Sequence, residues 1–148
     1  MGYQIGTGNI IGLPEQNTAD VARDLSATLS LNPNMASTSV FTPNQESILH
    51  DGEKGDEAMG LLYIALLRIL MQDRRVSIPT NSTLGQEGKY KALELGALEL
   101  SLNMTPTNND RQYSLYGGKG RVKASFDDLK DNALNSGFNI RRFSQMQF

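Results

Sequence analysis

The residues best suited to chemistry lie together near the end of the chain, in the stretch RQYSLYGGKGRVK over residues 111–123. It holds the cations Arg111, Lys119, Arg121 and Lys123 and no acidic residue, with Tyr113 and Tyr116 ahead of Gly117, Gly118 and Gly120. Cations beside open backbone and flat rings suit phosphate contact and base stacking. Lys119, Arg121 and Lys123 alternate, so on a strand they project to one side, opposite Val122, Ala124 and Phe126. This composition nominates Arg111, Tyr113, Tyr116, Lys119, Arg121 and Lys123 as nucleic-acid-binding residues. Arg74, Arg75, Arg141 and Arg142 are further basic contacts if folding gathers them there. An ordinary two-sided hairpin with a solvated cationic face has the same pattern.

Other constellations are incomplete. His50 is the single histidine, and Asp51, Glu53, Asp56 and Glu57 follow it. Their spacing fits no metal-binding loop, and no strand–serine–helix elbow surrounds any serine. Gly85-x-x-Gly88-Lys89 departs from a phosphate loop, because the first glycine is misplaced and Tyr90 stands where a metal-binding Ser or Thr belongs. Gly6-x-Gly8-x-x-x-Gly12 misses the dinucleotide fingerprint by one residue. Glu87, Glu94 and Glu99 fall mostly on different helical faces and make no acid/base pair. The chain has no cysteine, hence no disulfide, thiol nucleophile or thiolate metal site. These readings predict a protein that is not an enzyme and carries no cofactor and no metal.

The net charge of -2 conceals an asymmetry. Residues 1–74 carry four bases against nine acids, and residues 75–148 carry ten against seven. A polyanion would meet the second half, while the acidic first half would face a basic neighbour. The first fifteen residues lack the basic and apolar blocks of a secretory signal. The longest apolar run, residues 58–71, is interrupted by Arg68 and falls short of the ~20 residues a membrane span needs. No membrane association is expected.

The elements that must position these residues are read from periodicity and punctuation. Residues 1–16 hold four glycines and a proline but also Ile5, Ile10, Ile11 and Leu13, the composition of an extended arm that lies on a surface. Helix one is predicted over residues 18–31, capped by Asn17 or Thr18 and ended by Asn32-Pro33-Asn34. Residues 35–56 read as a long polar connection with a short turn near 43–49. Helix two, residues 57–73, is apolar nearly all round, as at a core centre or a subunit interface. Residues 76–79 read as an extended link. Residues 84–104 fit both the helical and the strand period, with the residue types favouring helix. A hairpin is predicted across residues 113–126. A last helix begins at the Ser125–Asp128 capping pair and stops at Gly137.

These features give a mainly α fold: one small helical domain over residues 17–137 with a β-hairpin, α+β being the variant, and extended arms at 1–16 and 138–148. They predict a non-enzymatic structural subunit, a viral or phage coat or nucleocapsid-type protein. It self-associates as a homo-oligomer and contacts single-stranded nucleic acid through its basic half, in a virion or the cytoplasm. The alternative is a small effector or regulatory module that binds another protein through the same apolar surface.

Overall fold

The apolar residues near the N-terminus do not lie on a surface as an arm; they open a parallel sheet. A computed structural model describes residues 2–72, 76–80, 82–101 and 125–139. In it β1 (Gly6–Ile11) runs parallel to β2 (Met35–Val40), with Gly6 opposite Met35 and Ile11 opposite Val40. Between them lies α1 (Thr18–Leu31), then follow α2 (Glu57–Met71), a short 3-10 turn (Ser82–Leu84), α3 (Gly85–Glu94) and α4 (Phe126–Asn135). The described residues form a small α+β domain.

Two further extended segments continue the sheet. Met35 bridges Ser77 in parallel, and Pro79 bridges Glu99 in parallel. Residues 76–80 therefore stand beside β2, and residues 97–101 stand beside residues 76–80. The spatial order of the four segments equals their order in the chain. Parallel neighbours need a crossover of a dozen or more residues, and α1, α2 and α3 supply the three crossovers.

All three crossover helices cover the same face of the sheet. Ile11, Ala36, Val40, Val76 and Ile78 join Tyr63, Ile64 and Leu67 of α2 and Ala92 and Leu93 of α3 in one buried cluster. Val21 and Leu25 of α1 pack against it. Ile64 and Leu67 are fully buried, each worth ~1.5–3 kcal/mol of transfer free energy. The apolar character of α2 is not buried all round, however: Leu62, Ile69 and Leu70 are exposed. The helix rests on the sheet with one stripe, so its far side meets no neighbour among the described residues. Arg68 uses its long stem to leave that stripe. Its guanidinium donates to the carbonyl oxygens of Gly96, at 2.8 Å, and Val76, at 3.2 Å, and so ties α2 to the starts of the two extended segments after it.

Helix ends follow local chemistry. The Asn17 side chain accepts from the amides of Ala19 and Asp20, and the Asp20 carboxylate accepts from the Asn17 amide, a complete capping box. The Ser125–Asp128 pair does the same for α4. Helix three stops at Glu94, well short of residue 104, because Gly96 turns the chain at φ 110°. Beyond it residues 97–101 are extended, so the mixed periodicity belongs to a helix followed by a strand-like segment. The hairpin predicted across 113–126 falls almost wholly outside the described residues, and so does the tail at 138–148 beyond Asn139, while Phe138 packs against the core. No described helix is long and apolar enough to cross a membrane.

Candidate functional site

Arg111, Tyr113, Tyr116, Lys119, Arg121 and Lys123 all lie outside the described residues, and so do Arg74, Arg75, Arg141 and Arg142. The basic surface expected of the second half therefore lies outside them as well. His50 sits on an exposed loop, with Nε2 3.2 Å from the Asp51 carboxylate and Nδ1 3.0 Å from the Ser47 carbonyl. Among the described residues no three His, Cys, Asp or Glu side chains converge as a metal site would need.

The geometry instead picks out the sheet face that no crossover helix covers. Strand side chains alternate, so Gly6, Gly8 and Ile10 of β1 share that face with Met35, Ser37 and Ser39 of β2. Ser77, paired with Met35, lies on it too, and its hydroxyl donates to the Glu99 carboxylate at 2.5 Å. The face thus carries small hydroxyl side chains, one carboxylate and two partly exposed apolar groups, Ile10 and Met35. Gly8 leaves room for Ser37, whose hydroxyl leans across to the Thr7 carbonyl. These groups can hold a polar ligand by hydrogen bonds, with Glu99 as the one anionic acceptor among the described residues of that face.

Above this face, the loops at the C-terminal ends of the strands are knitted together. The Phe41 amide donates to the Ile11 carbonyl and the Gly55 amide to the Phe41 carbonyl. Gly12 has φ 83°, and a Cβ there would lie 2.4 Å from the Gly55 Cα. The buried Val40 amide donates to the Thr83 hydroxyl at 2.9 Å. At the same end, Lys89 reaches the Ser101 carbonyl at 3.3 Å, and partial burial pulls its ammonium below the usual lysine range. Lys91, two residues on, is exposed and pairs with Glu87. On the covered face, burial pushes the Tyr63 hydroxyl up from the ordinary tyrosine range, opposed by its hydrogen bond to Thr28.

No protein-family model matches the chain. It is 32% identical over 120 residues to the FeFe hydrogenase maturase subunit HydE of Thermotoga maritima. The match takes in 80% of this chain and 34% of that protein, so the chain spans about a third of the length of the curated relative it matches.

That similarity overturns the viral coat, capsid or nucleocapsid reading: the protein resembled over four fifths of this chain is a hydrogenase maturase subunit. The apolar N-terminal residues that suggested an assembly arm have a different physical reason, since Ile11 is buried under helices within β1. The open face was missed because residues 35–40 were read as polar connection. The signal was present: Ala36, Thr38 and Val40 alternate with Ser37 and Ser39, and two of the buried three are β-branched.

Proposed function

We propose that this chain acts in hydrogenase maturation as the part of a HydE-type maturase that supplies four consecutive parallel strand positions and the crossover helices between them. The observation that carries the reading is the HydE match over most of the chain. The topology supports it. Sequential parallel strands with every crossover helix on one face are the arrangement of a (β/α) barrel, in which the reaction site lies at the C-terminal ends of the strands. Here those ends are the knitted loops at Gly12, Phe41, Gly55 and Thr83, together with Ser101.

The role of the chain itself is to line a chamber. Ser37, Ser39, Ser77 and Glu99 offer hydrogen bonds to a polar substrate, and Glu99 suits a ligand with an N–H or cationic group. The donor set does not fit a resident iron centre. The chain contributes no thiolate, because it has no cysteine, and soft ligands are what such centres demand. Thiolate ligation, where the process requires it, comes from other residues than these.

The test is a chimera in which residues of this chain replace the matched 120 residues of the Thermotoga maritima protein. Placed in a cell-free hydrogenase maturation reaction, it is expected to yield hydrogen-evolving enzyme above the level without maturase. A folded chimera that yields none refutes the maturation role.

A further inference from the structure

The core beneath α1 and α2 is not wholly apolar. Asn9 and Thr38 are cross-strand partners in β1 and β2. Both lie on the helix-covered face, in the alternation that buries Ile11, Ala36 and Val40. Thr38 is 2% exposed, and its hydroxyl has no hydrogen-bond partner among the described residues. The carboxamide oxygen and nitrogen of Asn9 are buried too, and neither has a partner there. Tyr63 of α2 brings a third polar group, a hydroxyl 3.5 Å from that of Thr28 in α1, at the limit of a hydrogen bond. Burial raises the pKa of the Tyr63 hydroxyl; the Thr28 side chain opposes the rise, the Asp24 carboxylate adds to it, and the Asn9 side chain opposes it. Asn9 thus stands near enough to Tyr63 to act on it, yet is not bonded to it. Buried polar groups in folded proteins are almost always paired, so this cluster has an unmet demand for both a donor and an acceptor.

We propose that Asn9, Thr38 and Tyr63 bind an internal water molecule between the sheet and helices α1 and α2. The site lies on the opposite side of the sheet from the serine-lined face, so it stands independently of the maturase reading. Water is the ligand this lining fits. The Asn9 nitrogen donates, the Asn9 oxygen accepts, and the Thr38 and Tyr63 hydroxyls do either. A buried water makes about 3 such bonds. None of these side chains carries a charge that would recruit an ion instead. A direct bond from Asn9 to Tyr63 would satisfy half of the carboxamide and leave the Thr38 hydroxyl orphaned, whereas a bridging water serves all three residues. The water ties both strands to α2, and through the contact of Tyr63 with Thr28 to α1. A polar network satisfied in this way rigidifies a core.

The experiment reads bound water in the full chain by nuclear magnetic resonance. The Asn9 Nδ2 protons are expected to show cross-peaks to water with the sign of a long-lived, immobilised molecule. Relaxation dispersion of the water oxygen nucleus then counts such molecules, and it is blind to proton exchange at the Thr38 and Tyr63 hydroxyls. Combining Asn9→Leu with Thr38→Val removes the orphaned groups and replaces them with apolar groups of similar shape, which a core tolerates. The count should fall by a single water in this double variant. Ile69→Ala, on the exposed side of α2, should leave the count unchanged. Asn9 protons without a water cross-peak overturn the proposal and assign the carboxamide to a direct bond with Tyr63. An unchanged count in the folded double variant overturns it as well. A wild-type chain with no water-oxygen dispersion does so whether or not the variant folds, and should the variant fail to fold, the wild-type cross-peaks decide.

Discussion

The contact between Gly12 and Gly55 can be isolated by one methyl group. Gly12 has φ 83°, and a Cβ added there lies 2.4 Å from the Gly55 Cα. Gly12→Ala therefore carries two costs. The left-handed backbone costs an L-residue about 1–2 kcal/mol. The collision is with main chain, so no rotamer relieves it, and forcing atoms into a packed site costs about 1–3 kcal/mol. The loss should be about 2–5 kcal/mol, a large part of the ~5–15 kcal/mol that holds a domain together. Gly85→Ala is the control: φ is 66°, yet nothing lies within 4 Å of the added Cβ, so only the backbone cost applies. Urea unfolding followed by far-UV circular dichroism measures both. With a slope of about 1–3 kcal/mol per molar urea, Gly12→Ala should lower the midpoint clearly more than Gly85→Ala. Equal losses would refute the claim that the loops after β1 and β2 are pressed together at their backbones.

Two further outcomes test the core and the last helix. Leu67 is fully buried in the shared cluster, so Leu67→Ala should cost about 2–5 kcal/mol, read as a lowered urea midpoint, whereas Ile69→Ala on the exposed side of α2 should change it little. Hydrogen bonds from Ser125 hold the Asp128 carboxyl below the usual aspartate range; a depressed folded-state value means the cap stabilises α4 above the unfolded-state value and loses that support as pH falls through the folded one. Amide exchange across α4 should therefore accelerate on acidification below the ordinary aspartate range, and Ser125→Ala should remove most of that dependence.

Local chemistry was legible where it is written in adjacent residues. Asn17 with Asp20 and Ser125 with Asp128 announce helix starts, and α1 spans the residues its period predicts. Partnership across the chain was not legible. Nothing in GTGNII declares that its neighbour is MASTSV, 29 residues on, because a parallel ladder leaves no hairpin turn to read. The strands are also short and carry glycine or serine at alternate positions, so their hydrophobicity is low even where one face is fully buried. The use Arg68 makes of the Gly96 and Val76 carbonyls depends on two segments that the sequence places 28 and 8 residues away.

The sheet face left open by the crossover helices constrains what can lie against it. Parallel sheets occur almost only with both faces covered, whereas among the described residues only the face under α1, α2 and α3 is. Extending a flat sheet from β1 would leave Ser37, Ser39 and Ser77 facing solvent. Laying a helix on the uncovered face would hide Ile10 and Met35 but bury Glu99 beside apolar side chains, at high cost for a charge that has no cationic partner among the described residues. Curling the sheet until added strands meet it encloses the face. Small side chains then leave space in the enclosure, and hydroxyls and a carboxylate make that space polar. A chamber of that kind is useful for chemistry on a hydrophilic molecule, which is the link between the geometry and the maturase relative. The link fails if a folded chimera yields no hydrogen evolution above the level without maturase.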